Sequence, residues 1–411
     1  MSTKTKIQKT SLISQIVFIV TLCVVLINIL SLIFPAFLVT TTSGSESQVN
    51  SFEIGAWTVP FITVNLLILG FGVMYHKKIL PNKIINSFKF ILNFEVSRKV
   101  AIIIIVILIS LYIIFTIPEL GQKEIDVWKD WKFVEPFIEN FPEGEGSPQI
   151  KVLYVKNFLL FTSLTVFQNV KIIPFIISVS LILATYFFTV KISQKRFAGL
   201  VAIVILLQSH TFLRYDTTAT FSNDWTLFYL LSLFLIYKKW HLSPLVFLAS
   251  ILSKPLTAAF LPMTLFFTLR SQTPRKIKII LIISYLIILC ILAIGILVIE
   301  DSQYSKSLRN FDTGEFFRGF TAWAYQLRID GLVLVFLLPL SVSLFLKARQ
   351  GKQELDSILV IITGILLAAP LLAGFSEFNL QPYRWIPLIV FFAIGVGVLL
   401  SKNHRNGMNI E

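Results

Sequence analysis

The chain is dominated by long runs of apolar residues that carry no charge. Three of the clearest runs are 101–115, 172–190 and 279–299. Runs of this length predict helices that cross a lipid bilayer, because a spanning helix needs about 20 apolar residues to cover the hydrocarbon core. A strand barrel would instead alternate polar and apolar residues, and these runs do not alternate. The sequence therefore predicts an all-α integral membrane protein.

The apolar pattern predicts about 12 transmembrane helices. The first run is longer than the apolar region of a signal peptide, so we expect it to be retained as a span. The segments 243–253 and 255–269 are short for full crossings, and we expect them to form a broken hairpin buried among other helices. The predicted spans are 12–38, 57–75, 100–117, 171–190, 197–213, 225–237, 243–253, 255–269, 279–299, 331–346, 357–374 and 385–401.

The distribution of charge sets the expected topology. With the N-terminus placed in the cytoplasm, the cytoplasmic segments hold 23 of the 36 Lys and Arg residues but only 4 of the 22 acidic residues. This asymmetry follows the positive-inside rule, and it predicts cytoplasmic N and C termini in the cell membrane. It also accounts for the net charge of +14, which in a soluble protein would suggest nucleic-acid binding. No nucleic-acid-binding signature is present, so we expect the bilayer rather than nucleic acid as the partner.

Two long loops are predicted on the outer side of the membrane, at 118–170 and 300–330. Long loops on a compact helical bundle are where functional residues tend to lie. The chain is accordingly divided into 1–99, a two-span N-terminal extension with a basic cytoplasmic loop; 100–401, a transmembrane core with both outer loops; and 402–411, a cytoplasmic tail.

The first outer loop begins with acidic residues close to the membrane surface. Glu124 and Asp126 follow the end of a predicted span and precede Trp128 and Trp131, which are suited to the membrane interface. A carboxylate held at this depth can take a proton from an acceptor hydroxyl. Asp126 is therefore the main candidate for a catalytic base, with Glu124 as a second candidate. The alternative is that these acids only solvate the loop.

Two cations lie within or at the edge of apolar segments. Lys254 separates two short apolar stretches, and a lysine at membrane depth costs about 2.5–3.5 kcal/mol unless it faces a partner or a cavity. Arg384 begins the last span beside Tyr383, where a guanidinium can bind a phosphate through two hydrogen bonds. Lys254, Tyr383 and Arg384 are therefore candidate substrate-binding residues. The alternatives are a lysine that reaches the interface along its own stem and an arginine that only anchors the helix.

A third polar group contains Arg214, at the end of one predicted span, and Asp224, at the beginning of the next. Asp224 could pair with Lys254 or with Arg214 in a binding site, or it could cap its own helix. The four histidines and two cysteines show no metal-ligand spacing, and no metal site is expected. Walker A, dinucleotide and GxSxG motifs are missing, so ATP-driven transport and serine hydrolysis have no support.

The order of these features resembles that in GT-C glycosyltransferases, the polytopic membrane enzymes that include protein mannosyltransferases and lipid A aminoarabinose transferases. The resemblance covers roughly residues 100–401. It rests on an acid in an outer loop after a span, an aspartate that opens a later span, a broken hairpin around a lysine, and an arginine that leads a late span. In this sequence those residues are Asp126, Asp224, Lys254 and Arg384.

The resemblance implies a polyprenyl-phosphate sugar donor and a glycan, lipid or protein acceptor on the outer face. It implies that Asp126 is the base and that Lys254 and Arg384 hold the donor phosphate. It implies no cofactor, although some members of the family use a divalent metal. Two other functions remain open: a carrier or flippase for a lipid or amphiphile, with Lys254 and Asp224 in its site, and a catalytically silent membrane subunit.

Overall fold

The computed structural model describes residues 12–39, 50–124, 130–143, 153–298, 310–375 and 381–401, with only the backbone described at 293–298. Throughout these ranges the regular structure is helical and contains no strand, so the prediction of an all-α protein is confirmed. The α-helices are α1 Leu12–Ile33, α2 Thr58–His76, α3 Asn82–Asn93, α4 Arg98–Thr116, α5 Asp130–Glu139, α6 Tyr154–Phe167, α7 Ile172–Ser193, α8 Arg196–Leu207, α9 His210–Arg214, α10 Asp224–Lys238, α11 Ser243–Ser253, α12 Leu261–Arg270, α13 Arg275–Val298, α14 Thr313–Gly319, α15 Ala322–Gln326, α16 Gly331–Ala348, α17 Glu354–Phe375 and α18 Ile386–Leu399. Short 3-10 helices occupy Ile117–Gly121, Trp240–Leu242, Pro255–Phe260 and Pro382–Trp385.

Seven helical segments among the described residues are long and apolar enough to cross a membrane. They contain α1, α2, α4, α7, α16, α17 and α18. Helix α13 has 24 residues and is also apolar. The remaining predicted spans fall on α8, α10, α11 and α12, which have 12, 15, 11 and 10 residues. At 1.5 Å per residue, these four helices are shorter than a hydrocarbon core of about 30 Å.

Helix α18 lies at the centre of the bundle. Every residue from Ile386 to Ile394 is buried, and the helix packs against α7, α8, α16 and α17. A helix that is apolar on all sides is stable only where other helices or lipid surround it. Gly397 allows close packing here, because a Cβ atom at this position would lie 2.6 Å from the carbonyl oxygen of Ala198 on α8.

The outermost helices expose apolar side chains. Val59 and Leu66 on α2 are 69% and 61% exposed, and Phe115 on α4 is 78% exposed. A polar side chain on the inner face of α2 fixes it to the bundle, since the Asn65 amide donates to the carbonyl of Val335 on α16 at 3.1 Å. Exposed apolar surface of this extent is expected where lipid covers the protein, which agrees with the predicted membrane location.

Polar contacts join the helix ends at one end of the bundle. Arg270, at the end of α12, forms an ion pair with Asp356, at the start of α17. Ser14, near the start of α1, donates to the same carboxylate at 2.5 Å. A further hydrogen bond joins α3 to the segment between α7 and α8, because the Lys195 ammonium donates to the carbonyl of Leu92. This end therefore collects charged residues from segments that are distant in sequence.

A second set of contacts joins segments at the opposite end. The Trp57 indole donates to the carbonyl of Arg328 at 2.9 Å. Lys171 donates to the carbonyls of Glu119 and Lys123 at 3.3 and 3.1 Å. These contacts connect the beginnings of α2 and α7 with residues that follow α4 and precede α16.

The segment 118–170, predicted as a long loop, contains helices that the sequence analysis did not predict. The 3-10 helix Ile117–Gly121 and helices α5 and α6 lie in 118–170, and α6 packs against α5, α7 and α11. Helix α6 was missed because Lys156 and Asn157 interrupt its apolar pattern, yet both residues are buried. In the second loop, Trp323 of α15 is fully buried and donates to the carbonyl of Asn28 on α1 at 2.9 Å.

Candidate functional site

The connection 215–223 between α9 and α10 is buried although it is not helical. Each of its nine residues is buried, and six of them are Asp, Thr, Ser or Asn. Buried polar groups must find hydrogen-bond partners, and α7 supplies some of them. Ser178 donates to the carbonyl of Asp216 at 2.7 Å and accepts from the amide of Asn223 at 3.1 Å. The connection is therefore held firmly inside the bundle.

Lys254 lies at a break between two helices. Helix α11 ends at Ser253, Lys254 is extended with φ −153° and ψ 112°, and Pro255 begins the next 3-10 helix. A residue before proline disfavours the helical conformation, which explains the break at this position. The Lys254 ammonium donates to the Tyr383 hydroxyl at 2.6 Å and lies 4.0 Å from the centroid of that ring.

Arg384 approaches the same tyrosine. Its Nε lies 3.4 Å from the Tyr383 hydroxyl oxygen. Lys254 and Arg384 are both half-buried, whereas Tyr383 is buried. Among the ion pairs of the described residues, none joins a carboxylate to Lys254. The structure thus brings together the two cations that the sequence analysis selected, with Tyr383 between them.

Aromatic side chains fix the position of Tyr383. Its ring stacks on Phe221 with a centroid distance of 4.6 Å and meets Tyr215 edge-on at 6.0 Å. Arg214 is exposed, and its guanidinium carbon lies 5.8 Å from the centroid of the Tyr215 ring. Arg214 therefore lies at the margin of the cluster, one aromatic ring away from Tyr383.

Asp224 is buried at the first turn of α10, but it does not form the pairs that the sequence analysis considered. The ion pairs of the described residues include none between Asp224 and either Lys254 or Arg214. Ser222 donates to Asp224 Oδ1 at 2.5 Å. The alternative of an N-cap is also not found, since Asn223 occupies that position without a side-chain cap.

Lys156 of α6 is a buried cation that the sequence analysis did not select. Its ammonium donates to the carbonyl of Thr220, and its charge acts on both Asp224 and Lys254. In the sequence it is one of several lysines in a segment predicted to be a loop, where lysines are normally solvated. The sequence feature that could have indicated its burial is the apolar character of its neighbours, Leu153, Val155, Phe158 and Leu159.

Glu124 is held by the same connection. Its Oε1 accepts a hydrogen bond from the backbone N–H of Thr220 at 2.9 Å, and its Oε2 lies 3.9 Å from the Lys171 ammonium. These contacts stabilise the carboxylate and favour a structural role over proton transfer. Asp126, the main candidate for the base, lies outside the described residues.

Asp216 is the carboxylic acid within the buried connection 215–223. Burial raises its pKa to about 7, and the negative charge of Glu119 adds to the rise. The Tyr112 hydroxyl opposes the rise because it interacts with the charged carboxylate. Asp216 therefore changes its charge near neutral pH.

The part of the chain that is described contains no group of three or more His, Cys, Asp or Glu residues able to hold a metal ion. The chain matches no family model, no curated protein and no solved structure.

Proposed function

We propose that the chain is a multi-pass membrane glycosyltransferase that moves a sugar from a polyprenyl-phosphate donor to an acceptor. The observation that carries the proposal is the meeting of Lys254 and Arg384 at the Tyr383 hydroxyl. Two cations that meet at one hydroxyl attract an anion. We infer that this anion is the phosphate of a membrane lipid.

The roles of the two cations follow from the chemistry of the donor. Transfer breaks the bond between the sugar anomeric carbon and a phosphate oxygen, and the phosphate leaves with the bonding electron pair. Lys254 and Arg384 would stabilise the charge that develops on this oxygen. The acceptor oxygen forms the new bond to the anomeric carbon and loses its proton to a carboxylate. The products are the glycosylated acceptor and the polyprenyl phosphate.

The base is proposed to be Asp126. Glu124, two residues earlier, is already engaged by Thr220 and Lys171. Thr220 connects the two parts of the proposed site. Its N–H holds Glu124, and its carbonyl accepts from Lys156, whose charge acts on Lys254. The acidic segment and the cationic cluster therefore attach to one short stretch of chain.

The proposal includes a topology of about 12 spans in the cell membrane, with both termini in the cytoplasm and the site on the outer face. Its support is that segments expected on one side of the membrane contact one another. Arg270 and Asp356 meet at the end with the basic loops, and Lys254 and Tyr383 meet at the other end. A prediction with the wrong number of crossings would place some of these partners at opposite ends.

One observation also favours a carrier or flippase for a lipid or amphiphile. The helix break at Lys254 resembles the discontinuous helices that transporters use near their binding sites. A carrier would bind the same lipid phosphate but would form no covalent product. This difference separates the two functions experimentally.

The test is a transfer assay on sealed vesicles that contain the full chain. Vesicles are supplied with a polyprenyl-phosphate hexose carrying a radioactive sugar, together with lipid extract and peptides from the native membrane as acceptors. The native chain should move label into material that separates from the donor. Asp126→Asn should reduce the rate by about 100-fold or more, since general-base catalysis supplies about 10²–10⁴-fold.

The matched control is Glu139→Gln, which removes an exposed acid from α5 in the same outer segment. This variant should transfer sugar at the native rate. Full activity of Asp126→Asn would exclude Asp126 as the base. Movement of labelled donor across the vesicle membrane without any new product would identify a carrier instead.

A further inference from the structure

A small cavity lies where α8 ends and α16 begins. Its volume is about 170 Å³. The lining combines apolar side chains with the polar residues Gln208, Ser209 and Asp330. Since a water molecule needs only about 10–15 Å³ of such space, the cavity can hold an ion together with several waters.

Asp330 is the charged group in this lining. Its side chain is buried, with 4% of the residue exposed. Asp330 immediately precedes α16, a position where aspartate normally accepts from an amide of its own helix, but it makes no such side-chain bond. Its Oδ2 instead accepts from the backbone N–H of Thr211 at 3.3 Å and from the Thr211 hydroxyl.

The other carboxylate oxygen of Asp330 is buried and lacks a hydrogen-bond partner within the described ranges. No cation of the described residues forms an ion pair with it. Arg328 is the nearest basic residue in sequence, and its guanidinium lies over the Tyr325 ring at 5.0 Å. A buried carboxylate in this situation is stabilised by a compensating positive charge.

We propose that this cavity binds one small monovalent cation, Na⁺ or K⁺. The Asp330 carboxylate would balance its charge, and the Ser209 hydroxyl, the Gln208 amide oxygen and waters would complete an all-oxygen shell. The last turn of α8 borders the cavity, and helix C-termini favour cations. A single carboxylate matches a single positive charge, which argues against a divalent ion. This site is independent of the proposed transferase activity.

The test measures the unfolding temperature of the full chain in detergent as NaCl or KCl replaces choline chloride at constant ionic strength. The native chain should show a midpoint that rises with Na⁺ or K⁺ and saturates. Asp330→Asn should abolish the rise. Asp312→Asn, which changes the exposed N-cap aspartate of α14 to an amide that can still cap the helix through its oxygen, should retain it.

A second variant keeps the test decisive if Asp330→Asn does not fold. Gln208→Leu changes an exposed residue of the lining and should shift the half-saturating cation concentration at least several-fold. A native midpoint that is the same in NaCl, KCl and choline chloride would overturn the proposal. An unchanged cation response in Asp330→Asn would overturn it as well. If Asp330→Asn does not fold, an unchanged response in Gln208→Leu would have the same meaning.

Discussion

At the scale of single residues, the central feature is a tyrosine shared by two cations. The Lys254 ammonium and the Arg384 Nε lie 2.6 and 3.4 Å from one hydroxyl oxygen. The hydroxyl oxygen accepts hydrogen bonds from both groups. The ligand proposed for this cluster is a phosphate, because its oxygens accept several charge-assisted hydrogen bonds at once.

Asp216 provides a residue-scale prediction about pH. An unfolded aspartate loses its proton near pH 4, whereas burial raises the pKa of Asp216 in the folded chain to about 7. The folded state therefore binds more protons between these values, and its stability falls as the pH rises from about 4 to about 7. Asp216→Asn should remove this contribution. The unfolding temperature of the variant should therefore fall less than that of the native chain between pH 4 and pH 7.

The control for Asp216 is Glu139→Gln, whose side chain is exposed. It should show the same dependence on pH as the native chain. If Asp216→Asn and the native chain lost stability equally between pH 4 and 7, the raised pKa of Asp216 would be refuted.

At the scale of helices, most of the fold could be predicted from apolar runs. Such runs identify α7 and α17 because a bilayer requires continuous apolar length. Helix α6 could not be found in this way, since its polar residues Lys156 and Asn157 become buried only through contacts with other helices. The break at Lys254 was predictable because Pro255 follows it. The proximity of Lys254 to Arg384 was expected from the resemblance to GT-C glycosyltransferases and not from the spacing of residues.

Gly397 gives a prediction about helix packing. A Cβ atom at this position would lie 2.6 Å from the Ala198 carbonyl oxygen and 2.7 Å from Thr189 Cγ2. Gly397→Ala should therefore push α18 away from α8 and lower the free energy of unfolding by about 1–3 kcal/mol. Gly72→Ala is the matched control, because no atom lies within 4 Å of its added Cβ. Equal unfolding temperatures for the two variants would show that α8 and α18 do not pack this closely.

The ion pair between α12 and α17 gives a second prediction at this scale. Asp356 is fully buried, and Asp356→Asn leaves the Arg270 charge without its carboxylate. The free energy of unfolding should fall by about 3 kcal/mol, as it does when one partner of a buried ion pair is removed in other proteins. Glu315→Gln breaks an exposed pair with Arg318 and should cost less than about 1 kcal/mol. The comparison is made by denaturant unfolding in detergent, and similar losses for both variants would contradict it.

At the scale of the whole molecule, the buried connection 215–223 joins regions that are far apart in sequence. It contacts Glu124 through Thr220, α6 through Lys156, and Tyr383 through Phe221. The sequence analysis selected Lys254, Arg384, Tyr383 and Asp224 as candidates because charged or polar residues are rare in apolar segments. The sequence could not show that the connection 215–223 is buried beside these residues, since a Thr- and Ser-rich segment is typical of an exposed turn.

The proposed topology is tested by cysteine labelling in intact cells. The native Cys23 and Cys290 are replaced by Ala, and one cysteine is then introduced by Lys83→Cys or by Glu139→Cys. A thiol reagent that cannot cross the membrane should label position 139 and should reach position 83 only after the cells are opened. Labelling of position 83 in intact cells would place the basic loop outside and reverse the topology.

The central claim is that Lys254 and Arg384 hold one lipid phosphate, and a comparison of two lipids tests it most directly. The affinity of the chain in nanodiscs is measured for a polyprenyl phosphate and for the uncharged polyprenol of equal length. Lys254→Gln should weaken binding of the phosphate by about 10- to 100-fold, the loss expected for a hydrogen bond to a charged group, and should leave polyprenol binding unchanged. Lys191→Gln, which alters a lysine lying over the Tyr237 ring at the other end of the bundle, should change neither affinity. Equal affinities of the native chain for the two lipids, or phosphate binding that survives Lys254→Gln undiminished, would contradict the account.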